Sequence, residues 1–188
     1  MLLADERSEF GGSLLHSLER IDGMEPMDWV ESVVNELSDN PKVTMLSRAT
    51  VNGYHDHNFL TISERRTDHL GDTSPDGTAR HRFHKVRAGS VVLATGAHER
   101  PLVFANNDLP GCMIASSLSH YIHRFAVVPG NSLVLMTNND SAYQSAIDWL
   151  DAGRKVVAIV DTRKSPEGRV VDLALERGIR VLTGSVII

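Results

Sequence analysis

The sequence predicts an α/β protein, and three observations carry that reading. The second half of the chain alternates strand and helix patterns in the order expected of a parallel sheet with right-handed crossovers. Val91 to Ala94 is an unbroken run of small or branched apolar residues, the pattern of a strand covered on both faces, and it stops at Thr95-Gly96. The chain opens on a short apolar run, Met1 to Ala4, that ends in the acid pair Asp5-Glu6.

Each element follows from local pattern. Met1 to Ala4 reads as the end of a strand, and Asp5-Glu6 with Gly11-Gly12 as the loop that leaves it. Pro26 to Leu37 places Met27, Val30, Val33, Val34 and Leu37 at helical spacing, with proline in the first turn and Asn40-Pro41 as the stop. Val43 to Leu46, Ala49 to His55, Phe59 to Arg65 and Arg80 to Arg87 read as four short strands of a β-meander, with turn chemistry at Ser74-Pro75-Asp76-Gly77. The final strand of this part is Val91 to Ala94, expected in the middle of a sheet.

After Pro101, the stretch Asn106-Asn107-Asp108-Leu109-Pro110-Gly111 reads as a linker or interdomain loop. A helix over Ser117 to Phe125 follows, then a strand over Leu133 to Met136, a helix over Ser141 to Asp151, a strand over Val156 to Val160, a helix over Pro166 to Glu176 and a strand over Ile179 to Leu182. Two domains are therefore expected, a partial dinucleotide-binding domain over 1–105 and a second nucleotide-binding-like α/β domain over 106–188.

Composition narrows the function classes. The chain has 188 residues, 41% of them hydrophobic, enough for a real core. No apolar run reaches the roughly 18 residues a membrane helix needs, and MLLADERSEF lacks the features of a signal peptide, so a soluble, cytoplasmic protein without a membrane partner is expected. The single cysteine, Cys112, excludes an internal disulfide and a thiolate zinc cluster, and its apolar neighbours suggest a small buried hydrophobe. With a net charge of −5 and 19 scattered Lys plus Arg, nucleic acid is not an expected partner.

A glycine directly after a buried strand lets a ligand approach the main chain with no Cβ in the way, and the threonine before it offers a hydroxyl. Thr95-Gly96 is thus a candidate dinucleotide floor, against the plainer reading of a simple turn. An acid at a strand end accepts hydrogen bonds from ribose hydroxyls in dinucleotide-binding units, so Asp5 or Glu6 is a candidate, against the plainer reading of a solvated loop. No G-x-G-x-x-G occurs, so the phosphate-cradling turn that would precede Met1 is expected to be missing. Thr137-Asn138-Asn139-Asp140-Ser141 stands where a second phosphate loop would lie, but Asp140 would repel a pyrophosphate, and Asp140 or Ser141 reads as a helix cap. The nine histidines, His55, His57, His81 and His84 among them, show no metal-ligand spacing, and no metal site is expected. His98, Glu99 and Arg100 are further candidates for contact with a cofactor or a neighbouring domain.

Four stretches carry a family resemblance: EFGGSLL from Glu9, YHDHNF from Tyr54, VVLATGAHERPLVFANNDLPG from Val91 and TNNDSAY from Thr137. Together they resemble the α subunit of heterotetrameric sarcosine oxidase, along nearly the whole chain, as an internal piece of that longer subunit. The resemblance implies a partial FAD/NAD(P)-binding, two-dinucleotide-binding-domain flavoprotein fold. It also implies that the α subunit holds NAD while a β-type subunit largely carries FAD, FMN being the alternative at the subunit border. It implies oxidative demethylation of sarcosine, a small-molecule amine, and a partner in the form of a flavin-carrying β-type subunit. By the same carry-over Asp5 or Glu6 would meet the adenosine ribose, Gly11 and Gly12 the turn beside the cofactor, and Thr95 with Gly96 the dinucleotide. No residue is a candidate acid, base or nucleophile, so the chain alone is expected to be inactive. The alternatives are a non-catalytic docking subunit with a decayed nucleotide site, and the α subunit of a related proline or opine dehydrogenase.

Overall fold

A computed structural model describes residues 1–188 other than 72–74 and 76. Two of the four residues of the turn read at Ser74-Pro75-Asp76-Gly77 lie outside the described residues. The chain divides into two compact units, Met1–Gly96 and Ala97–Ile188.

The first unit begins with strand β1 (Leu2–Ala4), a 3-10 turn over Gly12–His16, helix α1 (Pro26–Asp39) and strand β2 (Thr44–Leu46). β1 and β2 pair in parallel, Leu2 with Thr44 and Ala4 with Leu46, so α1 is the crossover between them. Pro26 begins α1, where its missing N–H costs nothing, and it and Val30 are the residues the helix buries, while Met27 stays exposed.

Strands β3 (Ala49–His55), β4 (Phe59–Arg65) and β5 (His81–Arg87) form an antiparallel sheet in the order β3-β4-β5. The expected meander thus has three strands: the fourth, read at Val43 to Leu46, pairs in parallel with β1 instead. Alternation explains the packing. Leu60 and Ile62 of β4 are buried, and Leu46, Ala49 and Ile62 form a small core against which Ala4 and Val86 pack.

Val91 to Ala94 is the clear departure. These residues lie in no strand, and Val92 and Leu93 are 88% and 68% exposed. A β-run is stabilised only by a neighbour that accepts its backbone hydrogen bonds, and among the described strands none pairs with this segment. The apolar composition is there, but the pairing that would bury it is not.

The second unit runs helix α2 (Ala115–Phe125), strand β6 (Ser132–Thr137), helix α3 (Ser141–Asp151), strand β7 (Lys155–Asp161), helix α4 (Arg169–Glu176) and strand β8 (Val181–Leu182). Its sheet is parallel throughout, in the order β6-β7-β8. The core is a continuous cluster in which Tyr143, Ala146 and Ile147 of α3 meet Leu135 and Ile159 of the sheet and Val171 and Ala174 of α4. The parallel α/β class predicted for this region is observed. Helix α4 starts at Arg169, three residues later than expected, behind Gly168 at φ 137°.

Two local expectations are corrected. Cys112 is exposed, in an irregular stretch with no helix or strand to cover it. Neither Asp140 nor Ser141 caps α3 through its own side chain. Asn139 accepts from the Ser141 amide at 3.1 Å and from its hydroxyl at 2.7 Å, because Asp140 is drawn to Arg163.

Candidate functional site

At the carboxyl end of β1 the backbone is tied to β2 and β3: the Asp5 amide donates to Leu46 O at 2.9 Å, and Asp5 O accepts from the Ala49 amide at 2.8 Å. Asp5 is half-buried, and one of its carboxylate oxygens accepts from the Arg7 amide at 2.8 Å. Glu6 is exposed, and its carbonyl accepts from Arg65 at 3.2 Å. Arg7 donates from its guanidinium to Gly12 O at 3.2 Å, folding the loop back so that the two acids and Gly11-Gly12 belong to one local structure.

The two glycines differ. Gly11 has φ 130°, and a Cβ there would meet Leu15 Cδ2 at 2.9 Å and Val30 Cγ1 at 3.2 Å, so packing alone requires its absence. Gly12 has φ 56°, and a Cβ there would find nothing within 4 Å. Thr95 and Gly96 end the first unit; both are exposed, Gly96 has φ 67° with open space around it, and neither makes a hydrogen bond to the described residues. The Asp5 oxygen that Arg7 does not engage and the carboxylate of Glu6 are acceptors, the chemistry that the vicinal hydroxyls of a ribose would require.

The second unit holds a polar centre that the residue patterns did not reveal. Asp161, the last residue of β7, is fully buried. Its carboxylate accepts from the Tyr143 hydroxyl at 2.8 Å, from the Arg163 amide at 2.8 Å, and from the Arg163 guanidinium at 2.8 and 3.1 Å. The same guanidinium meets Asp140 at 2.7 Å. Burial pushes the Asp161 carboxyl up, but the Arg163 and Tyr143 hydrogen bonds outweigh it and hold the group below its ordinary 3.8. Burial first, and then the bond to Asp161, raise the Tyr143 hydroxyl well above the usual tyrosine range. An acid closing the second strand of a strand–helix–strand unit was the available signal: the rule that singled out Asp5 applies equally to Asp161. Here that acid is consumed by internal partners.

An open cleft of about 790 Å³ lies at the carboxyl end of β6, lined by Glu99, Cys112, Ser116, Met136, Asn138 and Ile187 among others. Glu99, one of the loop candidates, uses its carboxylate on the start of α2, accepting from the Ala115 amide at 3.2 Å and the Ser116 amide at 2.7 Å. The two histidines of β5 pair with acids: His84 with Glu64 at 2.8 Å and His81 with Asp68 at 2.6 Å. Among the described residues no group of three or more ligand-type side chains could hold a metal ion, and no helix is long and apolar enough to cross a membrane.

No protein-family model matches the chain. Its sequence is 44% identical, over 189 aligned residues, to the α subunit of sarcosine oxidase from Corynebacterium sp. strain P-1, and 43% identical over 188 residues to its counterpart from Corynebacterium sp. strain U-96. The chain belongs to the sarcosine oxidase α-subunit family. All of it is covered by these alignments, but only 19% of either relative, so it spans about a fifth of the length of the α subunits it matches. An opine oxidase subunit of Rhizobium meliloti strain 1021 is 32% identical over 114 residues, 58% of this chain and 24% of that one. Among solved structures, an L-proline dehydrogenase from P. horikoshii superposes with a TM-score of 0.62 at 23% identity, covering 89% of this chain and 32% of that one. That likeness carries the fold, and it agrees with the parallel α/β units of this sarcosine oxidase α-type chain.

Proposed function

We propose that the chain is a dinucleotide-holding segment of a flavin-dependent amine oxidoreductase of the sarcosine oxidase kind. The supporting observation is the likeness to sarcosine oxidase α subunits along every part of the sequence. In this reading the first domain, about 1–105, takes the adenosine end of NAD or FAD on Asp5 and Glu6, beside Gly11-Gly12 and Thr95-Gly96. The second, about 106–188, is a nucleotide-binding-like α/β domain. When bound, a flavin supplies the acceptor for the hydride leaving the amine's methyl carbon. In this reading the residues of this chain bind and orient the dinucleotide. The partner is a β-type flavin-carrying subunit, the substrate a small secondary amine such as sarcosine, and the setting cytoplasmic.

The second domain also favours part of the docking-subunit alternative. With Asp161 engaged by Tyr143 and Arg163, and Arg163 engaged by Asp140, the end of β7 has no free acid for a ribose, as expected of a nucleotide site that has decayed. The α subunit of a proline or opine dehydrogenase remains a sister reading of the first domain.

Calorimetric titration of the purified chain with NAD and with FAD tests the proposal. The expected result is binding of one of them that weakens by about tenfold, or roughly 1.4 kcal/mol, in a D5A/E6A chain. Equal affinity of the native and D5A/E6A chains would remove the ribose assignment.

A further inference from the structure

The meander presents a face that the reading above does not use. Residues alternate between the two faces of each strand, and one face of β3-β4-β5 carries Leu60, Ile62 and Val86 toward the small core. The other face is set by the register: Thr50, Ser63 and Phe83 stand in one row, Gly53, Thr61 and Lys85 in the next, His55, Phe59 and Arg87 in the third. Phe83 is 56% exposed, and His55, Lys85 and Arg87 are exposed as well.

This face is built, and its charge is one-sided. Asn52 donates to the Ser63 hydroxyl at 2.8 Å and accepts from Thr61 at 2.7 Å, fixing the small polar centre. The His55 ring lies against Phe59, centroids 5.9 Å apart, and reaches over Gly53, where a Cβ would stand 2.6 Å from its Nε2 and 2.5 Å from Thr61 Oγ1. The strands of this sheet contain one carboxylate, Glu64, and it lies on the inner side, paired with His84. Lys85 and Arg87 have no ion-pair partner among the described residues. β5 is also an edge strand, so its outer backbone groups are open. In a chain with a net charge of −5, this is a local inversion of sign.

We propose that the outer face of the meander docks a carboxylate-rich segment of another polypeptide, with Lys85 and Arg87 meeting its acids and Phe83 covering its apolar stems. Charge complementarity selects the occupant, and the acidic balance of the rest of the chain argues against a nucleic-acid backbone, which needs a broad basic surface. The inference is independent of nucleotide binding, since it uses none of Asp5, Glu6, Thr95 or Gly96.

The test is fluorescence anisotropy of a fluorescein-labelled oligoglutamate peptide titrated with the full chain at low and physiological ionic strength, with a single-stranded oligodeoxynucleotide of equal charge in a parallel arm. The peptide is expected to bind at low salt, to weaken as salt rises, and to lose about tenfold in affinity with K85E/R87E. The milder K85Q/R87Q chain guards against misfolding and is expected to lose several-fold. A K164E/R180E chain, carrying the same charge change on the second unit, is expected to bind as the native chain does. No peptide binding at low salt, equal loss in K164E/R180E, or tighter binding of the oligodeoxynucleotide would each overturn the proposal.

Discussion

The Tyr143 hydroxyl donates to the Asp161 carboxylate across 2.8 Å, and neither residue is exposed to solvent. This bond joins the first turn of α3 to the last residue of β7, and Arg163 completes it from the loop beyond.

Removing the hydroxyl leaves a buried carboxylate with one donor fewer. A Tyr143→Phe chain is expected to lose about 1–3 kcal/mol of stability in urea unfolding, since a buried acceptor deprived of its partner costs its desolvation. The pH dependence follows from the lowered Asp161 carboxyl. Its contribution is fully present above the ordinary 3.8 and is lost as pH falls below that value through the folded-state pKa. An Asp161→Asn chain should therefore unfold with a shallower dependence on pH in that acid range; an unchanged slope would count against the network.

Gly11 and Gly12 should respond differently to the same change. Gly12→Ala meets only the strain of a left-handed backbone, about 1–2 kcal/mol, whereas Gly11→Ala adds collision with Leu15 and Val30, for roughly 2–4 kcal/mol in all. Thermal melts of the two variants read the contrast, and equal losses would refute the packing role of Gly11.

Glu99 closes the start of α2 with two hydrogen bonds to backbone amides. Glu99→Ala is expected to cost about 0.5–2 kcal/mol, and Glu99→Gln less, because the amide oxygen still accepts. Hydrogen exchange at Ala115 and Ser116 is the direct measure; unchanged protection in the alanine chain would contradict the contact.

Cys112 is exposed, so a thiol reagent should label it completely in the native chain without denaturant. Labelling that waits for unfolding would restore the buried site its apolar neighbours suggest.

Legibility from sequence followed the range of the forces involved. Strands β3 and β4 and helix α3 match their sequence-derived bounds residue for residue, because alternation in Ala49–His55 and Phe59–Arg65 and the helical spacing of Tyr143, Ala146 and Ile147 are local patterns. Val91 to Ala94 carries an equally good local pattern and forms no strand, since pairing depends on a neighbour that no local pattern encodes. Thr44–Leu46 was readable as a strand but not as the partner of β1, for the same reason. Of the candidate site, the position of Asp5 and Glu6 just beyond the end of β1 was visible from pattern alone. Asp161 follows the same pattern, but its burial and its capture by Arg163 depend on a side chain two residues onward turning back. The grip of Glu99 on α2 spans 16 residues of irregular chain, beyond any periodicity.

One guanidinium answering two carboxylates makes Asp140 and Asp161 a single mechanical unit. Any displacement of the segment ahead of α3 must drag Arg163 and the tip of β7 with it or break the contact between Asp140 and Arg163, so the amides around both acids should open to solvent together.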